Sequence, residues 1–237
     1  MRDVVLGNEE LLGSVLHQHS DRLSRDNSFG SVQPPDLTAI RGMEDCLWLF
    51  SSNELNHGLS RLELNEAAYL YRLVRSLADP AVGEIGRFKG GSTFLLASAG
   101  ARLVVSVDHE SETEPGDAAA LAAALSRFAL RDRVEIISAD SRTVPLEGRT
   151  FDVIFVDGDH SYEGVQADFE HWWPALAPGG HLVFHDAVFA PTDPRWEICI
   201  GVARLTTELE QHPQLKRIPD APGSFAHFVR LDNRTRD

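Results

Sequence analysis

From Ala81 onward, short β-rich runs alternate with segments of helical periodicity, and this alternation restricts the fold more than any other feature. The pattern predicts strands over Ala81–Ile85, Leu103–Val107, Val134–Ser138, Val153–Val156 and Leu182–Phe184. Helices are expected over Ser92–Ala99, Ala118–Phe128, Tyr162–Leu176 and Ile198–Leu209. Runs such as LVVSV and VIFV are apolar almost throughout, as befits strands covered on both faces of a parallel sheet. Strands joined through helices close by right-handed crossovers, so the expected architecture is α/β with a doubly wound sheet. Two last strands, near Leu215–Ile218 and Phe225–Leu231, have no helix between them and are expected to form an antiparallel hairpin at one edge.

Ahead of Asp79-Pro80 the pattern is less regular. Leu62, Leu64, Ala68, Tyr71, Val74 and Leu77 recur at helical intervals, which predicts a helix within Arg61–Leu77. Asn8–His19 and Met43–Phe50 also admit helices, and the polar stretch from Ser20 to Pro35 reads as loop. The expected division is an N-terminal helical segment over residues 1–60 and one domain over 61–237, a length that suffices for one well-buried core. Acids outnumber bases 36 to 22, giving a net charge of −14, which disfavours nucleic acid as the main partner because phosphate binding needs Lys and Arg. Cys46 and Cys199 are far apart and read as unpaired thiols of a reducing compartment. The first residues carry no basic segment before an apolar run, and no stretch approaches the ~18 apolar residues of a membrane span. A cytoplasmic protein with no membrane partner is the expectation.

In a doubly wound sheet, ligands bind outside the carboxyl ends of the strands where strand order reverses. The first strand runs into Gly86-Arg87-Phe88-Lys89-Gly90-Gly91-Ser92-Thr93, a glycine turn that lets backbone approach a ligand closely. Ser92 is expected to cap the following helix. The second strand ends at Asp108, 22 residues after Gly86, where a carboxylate can accept from both hydroxyls of a ribose. Phe88 stands where the dinucleotide fingerprint G-x-G-x-x-G needs its second glycine, and its bulk would obstruct a pyrophosphate. The turn therefore suits a nucleoside better than NAD, and a nicotinamide oxidoreductase is disfavoured.

Taken in order, VGEIGRFKGGST, VVSVDHE and FDVIFVDGDHSYEGVQADFEHWWPALAPGGHLVFHD resemble the class I S-adenosylmethionine-dependent methyltransferases, and most closely the small-molecule methyltransferase domain family 24. The resemblance covers about residues 65–231 and implies a Rossmann-like fold that binds S-adenosylmethionine. It implies that Glu84 and Gly86 line the methionine end, with Ser92 beside them, that Asp108 meets the ribose, and that Asp140 and Ser141 border the adenine. Asp140 read by itself is equally a turn-capping acid. The family places a variable helical lid before its first strand, a role open to residues 1–60, and its members are often homo-oligomers.

The fourth and fifth strands end in VIFVDGDHSYEG and LVFHDAVF, so Asp157, Asp159, His160, His185 and Asp186 are expected at one crevice. On one reading Asp159 or Ser161 merely caps the helix from Tyr162 and His160 lies on the loop. On the other, Asp157 and Asp186, with His185 or Asp159 alongside, hold a divalent cation: Mg²⁺, Ca²⁺ or Mn²⁺ by their oxygens, with Fe or Zn admitted by one imidazole. Metal-dependent O-methyltransferases that this chain resembles use acids at the positions of Asp157 and Asp186. His185, where some carry another acid, and Ala187, in place of Asn or Asp, depart from that pattern. A hydroxyl is a poor nucleophile until its proton leaves, so His and Asp concentrated at two strand ends favour oxygen as the atom methylated. His160 is the first choice of general base and His185 the second. The acceptor expected is a small molecule: a secondary metabolite, sugar or phenol. Trp172 and Trp173 are expected to pack in the core, Pro178-Gly179-Gly180 to turn the chain into the fifth strand, and Arg87 and Lys89 to be solvated; His17 and His19 have no evident partner. Two other functions remain compatible: a hydroxylase-like enzyme on the same scaffold, and a non-catalytic partner subunit that binds S-adenosylmethionine.

Overall fold

The computed structural model describes residues 29, 37–50, 59–110, 113, 115–189 and 196–232. The expected helix over Asn8–His19, the loop after it, His17 and His19 lie outside the described residues. Seven strands form one sheet: β1 (Ala81–Ile85), β2 (Leu103–Asp108), β3 (Val134–Ser138), β4 (Phe151–Val156), β5 (Leu176–Phe184), β6 (Leu215–Ile218) and β7 (Ala226–Arg230). Their order is β3-β2-β1-β4-β5-β7-β6, so strand order reverses between β1 and β4. All pairs from β3 to β5 are parallel, while β7 lies antiparallel to both β5 and β6. The Rossmann-like sheet with an antiparallel C-terminal hairpin is thus observed.

Side-chain alternation divides the core into two layers. Val104, Val153, Phe155 and Val183 face one side, where α1 (Leu64–Ser76), α2 (Gly91–Ser98) and α3 (Asp117–Arg127) cover them. Val105, Ile154, Val156 and Phe184 face the other, under α4 (Tyr162–Trp172) and α5 (Trp196–Leu209). Met43–Phe50 is a 3-10 helix whose Trp48 meets Phe94 of α2 edge to face at 5.3 Å. Trp172 is buried against Phe151, and its indole donates to the Ser141 carbonyl at 3.0 Å. Trp173 stacks beside Phe169 and His212. Both tryptophans are packing residues.

Three local expectations are corrected. Helix α2 begins after Gly90, whose φ of 91° belongs to the left-handed region, so Gly90 and not Ser92 occupies the cap. Pro178-Gly179-Gly180 does not precede β5 but lies within it, where the register with β4 shifts between Phe151 and Val153. Such a bulge tolerates the proline that a regular ladder would reject. Arg87 and Lys89 are buried. The Arg87 guanidinium donates to the carbonyls of Ser106 and Ile137 at 3.0 and 3.2 Å and pairs with Glu110 at 2.6 Å.

Asp168 points inward from α4 and accepts from the Ser141 hydroxyl at 2.5 Å. Burial pushes its carboxyl up to about 6, so folding penalises the ionised form relative to the unfolded chain. A folded pKa above the unfolded value makes the contribution to stability fall as pH rises from ~4 to ~6, by roughly 3 kcal/mol. Asp168→Asn keeps an acceptor for Ser141 and removes the ionisation. The variant is expected to melt above the wild type near neutral pH, with the gap closing toward pH ~4. A variant that melts below the wild type near neutral pH would contradict this; thermal melts across that range provide the check.

Candidate active site

The carboxyl ends of β1, β2, β4 and β5 bring Gly86, Asp108, Asp157 and Asp186 to one edge of the sheet. At the reversal point the backbone is close-packed: a Cβ on Gly86, whose φ is 84°, would run into the Asp157 carbonyl oxygen. The glycine turn is tied to β2 through Asp108, whose Oδ2 accepts from the N–H of Arg87 and of Phe88 at 2.8 Å each. Its Oδ1 accepts from the Glu110 N–H at 2.5 Å. A carboxylate offers about four lone-pair positions. Three backbone donors leave space for one further hydroxyl, so Asp108 holds the turn in shape as well as facing the crevice. Phe88 adopts a left-handed φ of 49°, and the Arg61 guanidinium lies over its ring at 3.9 Å.

Glu84 is fully enclosed behind this turn. Thr93 donates to its Oε2 at 2.5 Å, and burial raises its pKa against the pull of the Ser106, Ser92 and Thr93 hydroxyls. Its Oε1 is buried without a hydrogen bond among the described residues. Asp140 caps the short 3-10 turn Ser141–Thr143, accepting from the Arg142 N–H at 3.0 Å and from its guanidinium at 2.7 and 2.6 Å. The turn-capping reading of Asp140 is therefore observed, and the guanidinium lowers its pKa to about 2. Ser161 caps α4 through the Gly164 N–H at 3.1 Å, and Asp159 accepts from the Ser161 N–H at 2.9 Å. Asp159 thus belongs to the cap and not to the acidic cluster.

That cluster is formed by Asp157, His160, His185 and Asp186. His185 Nδ1 lies 2.9 Å from Asp157 Oδ1 and 3.3 Å from Asp186 Oδ2. His160 Nε2 lies 3.4 Å from Asp186 Oδ2 and 3.9 Å from Asp157 Oδ1, with Cys199 Sγ 3.9 Å behind its Nδ1. Asp186 holds its place with a φ of 53°, a left-handed conformation that Asp adopts more readily than most residues. Burial alone would lower both imidazole pKa values, but the facing carboxylates outweigh it and push His160 up to about 10 and His185 well above its usual value. Burial likewise acts to raise Asp157, and the two imidazoles reverse it, so its pKa is lowered.

Three participants escaped the sequence reading. Glu66, from α1, is buried with Oε2 3.2 Å from His185 Nε2. Ser224 donates to Glu66 Oε1 from its N–H at 2.7 Å and its hydroxyl at 2.9 Å. Its hydroxyl accepts from the Asp186 N–H at 3.1 Å, and its carbonyl accepts from Ala187 and Val188. Cys199 is the third. Glu66 did leave a signal: it interrupts the apolar row Leu62, Leu70, Val74 at intervals of four, and all four side chains are buried. Ser224 left none.

With this arrangement in view, the methyltransferase domain family 24 model matches residues 84–187, the stretch from the glycine turn to the end of β5. The matched stretch is less than half of the chain and holds the glycine turn, Asp108, Asp157 and Asp186. An O-methyltransferase from Bacillus cereus, solved in complex with SAH, superposes on this chain with a TM-score of 0.58 at 22% identity, covering 94% of this chain and 99% of its own. The O-methyltransferase TomG from Streptomyces achromogenes, involved in tomaymycin synthesis and solved with SAM, gives 0.57 at 20% identity, with 89% and 99% covered. At these identities the likeness establishes a shared fold. A ribosomal RNA small subunit methyltransferase A from Bradyrhizobium aligns at 39% identity over 82 residues, 35% of this chain. The chain spans only 27% of that relative's length. Within the matched stretch, the glycine turn and the acid–imidazole cluster adjoin each other across the β1–β4 reversal.

Because Gly86 has backbone of β4 where a side chain would stand, Gly86→Ala must displace the turn or the Asp157 peptide. The variant is expected to lose ~3 kcal/mol or more of stability, or to fold with binding of S-adenosylhomocysteine weakened at least ~10-fold. Chemical denaturation and calorimetry on the one sample give both quantities. Wild-type values for both would contradict the packing described.

Proposed function

We propose that this chain is an S-adenosylmethionine-dependent methyltransferase that methylates an oxygen atom of a small molecule with the help of a divalent cation. The observation that carries the reading is the cluster of Asp157, His160, His185 and Asp186 beside the glycine turn. The solved neighbours named as O-methyltransferases support it, as does the net charge of −14, which suits a small acceptor better than RNA. Gly86 and Ser92 line the methionine end with Glu84 behind them, Asp108 takes a ribose hydroxyl, and Asp140 and Ser141 border the adenine. The lid expected over residues 1–60 falls largely outside the described residues, and its described helix, Met43–Phe50, packs in the core against Phe94. Among the described residues no helix is long and apolar enough to cross a membrane.

The donor set fits a cation. Asp157, His185 and Asp186 each offer an atom within 4.8 Å of the others. Asp186 Oδ1 and His160 Nε2 are buried and make no hydrogen bond among the described residues. A dication held by Asp157, Asp186 and His185 would lower the pKa of an acceptor hydroxyl beside it. Asp157 and Asp186 orient the acceptor, and His160, with Nε2 3.4 Å from Asp186, would take its proton in the neutral form, which a dication on the two carboxylates would favour over the imidazolium. Alignment of acceptor and sulfonium supplies much of the rate, up to roughly 7–11 kcal/mol of barrier, and the proton acceptor adds ~10²–10⁴-fold.

The test is transfer of a labelled methyl group from S-adenosylmethionine to a panel of sugars, phenols and other hydroxylated metabolites, with and without chelator. An O-methylated product that forms only with added dication, and falls ~10²–10⁴-fold in His160→Ala, is the expected result. Undiminished transfer with chelator would remove the cation, and wild-type turnover by His160→Ala would remove the base.

A further inference from the structure

The carboxylate of Glu66 has no part in the function just described, yet it is buried and its bonding is complete. Its Oε1 accepts from the Ser224 N–H at 2.7 Å and the Ser224 hydroxyl at 2.9 Å, and its Oε2 accepts from the Glu63 N–H at 2.8 Å. All three partners donate, so they fix Glu66 as an acceptor. The remaining neighbour is His185 Nε2, 3.2 Å from Oε2, and a ring nitrogen facing an ionised carboxylate carries the hydrogen. The opposite nitrogen of the ring, Nδ1, then faces Asp157 Oδ1 at 2.9 Å and Asp186 Oδ2 at 3.3 Å. Neither oxygen can donate, so Nδ1 meets them well only when it carries a proton itself or a cation takes that proton's place. That arrangement is favourable only with positive charge among the three atoms.

We propose that Glu66 is the positioning residue that locks His185 as the nitrogen donor of an N,O,O cation site, and that this site therefore selects a transition dication such as Mn²⁺, Fe²⁺, Co²⁺ or Zn²⁺ over Mg²⁺. The inference rests on the cation reading above and deepens it. A metal-bound imidazole characteristically donates its second N–H to a carboxylate, which fixes the ring and raises its basicity. Glu66 supplies that carboxylate from α1, outside residues 84–187, so the domain's own strands do not complete the site. Imidazole favours transition metals, whereas Mg²⁺ prefers an all-oxygen shell and dehydrates reluctantly. Ser224 couples the two halves, since it bonds Glu66 and also accepts from the N–H of Asp186.

The experiment uses the full chain and three readouts. Mn²⁺ binding, followed by loss of the free-ion paramagnetic resonance signal, is expected to be at least ~10-fold tighter than Mg²⁺ binding measured by calorimetry. Pulsed resonance of the Mn²⁺ complex should show coupling to an imidazole nitrogen. Glu66→Gln should weaken Mn²⁺ by ~10–100-fold while S-adenosylhomocysteine affinity stays within a few-fold. Should Glu66→Gln not fold, ¹⁵N spectra of the wild type loaded with Zn²⁺ decide the matter: His185 is expected with hydrogen on Nε2 and metal on Nδ1. Dication binding with no nitrogen coupling, a Mg²⁺ preference, wild-type Mn²⁺ affinity in the variant or the opposite ring form each overturns the inference. If no dication binds the wild type at all, the cation reading itself fails and this inference falls with it.

Discussion

Gly86 has no room for a side chain because the Asp157 carbonyl occupies that space. This close approach of two backbones lies where the sheet reverses direction, and the site depends on it. Gly86 and Asp157 also exchange ladder positions with their neighbours: the Gly86 N–H donates to Val107 and the Asp157 N–H to Ile85, at 2.9 and 2.8 Å. The strand ends are thereby held together before any ligand arrives, and chemistry-bearing side chains are placed by the most rigid part of the molecule. Asp108 extends the same frame sideways by gripping the glycine turn through two N–H groups.

A cost follows from this convergence. Asp157, Asp186 and Glu66 are three carboxylates in a confined space, with two imidazoles as their nearest partners. Enclosing such groups is unfavourable unless positive charge and hydrogen bonds compensate. Ser224 and the α1 capping interaction meet the need at Glu66, and the imidazoles meet it at Asp157. The left-handed Asp186, with one oxygen buried and unbonded among the described residues, is the least satisfied member. Strain and incomplete bonding concentrate where the structure is shaped for a ligand and not for stability.

Much of this was legible in the sequence, for identifiable reasons. Apolar runs such as LVVSV and VIFV disclosed central strands because both faces of that sheet are covered. The acids and histidines of the cluster were visible because strand ends in such a sheet project to one edge. Local chemistry was read less well. Pro178 and Gly180 signalled a turn, yet β5 absorbs them as a bulge, since pairing to β4 and β7 on either side outweighs the local preference. Basic residues in a glycine turn suggested solvent, but Arg87 finds two carbonyls and Glu110 inside. Glu66 was recoverable from its place in an apolar row. Ser224 was not, because its importance arises only from contacts 158 residues away in the chain.

The central claim is that the crevice between β1 and β4 binds an adenosyl methyl donor. Calorimetric titration of the purified protein with S-adenosylmethionine, S-adenosylhomocysteine and NAD, each with and without a dication, tests it most directly. Micromolar binding of the two adenosyl ligands and none of NAD is the predicted result. Failure of both adenosyl ligands to bind under every metal condition would contradict the account.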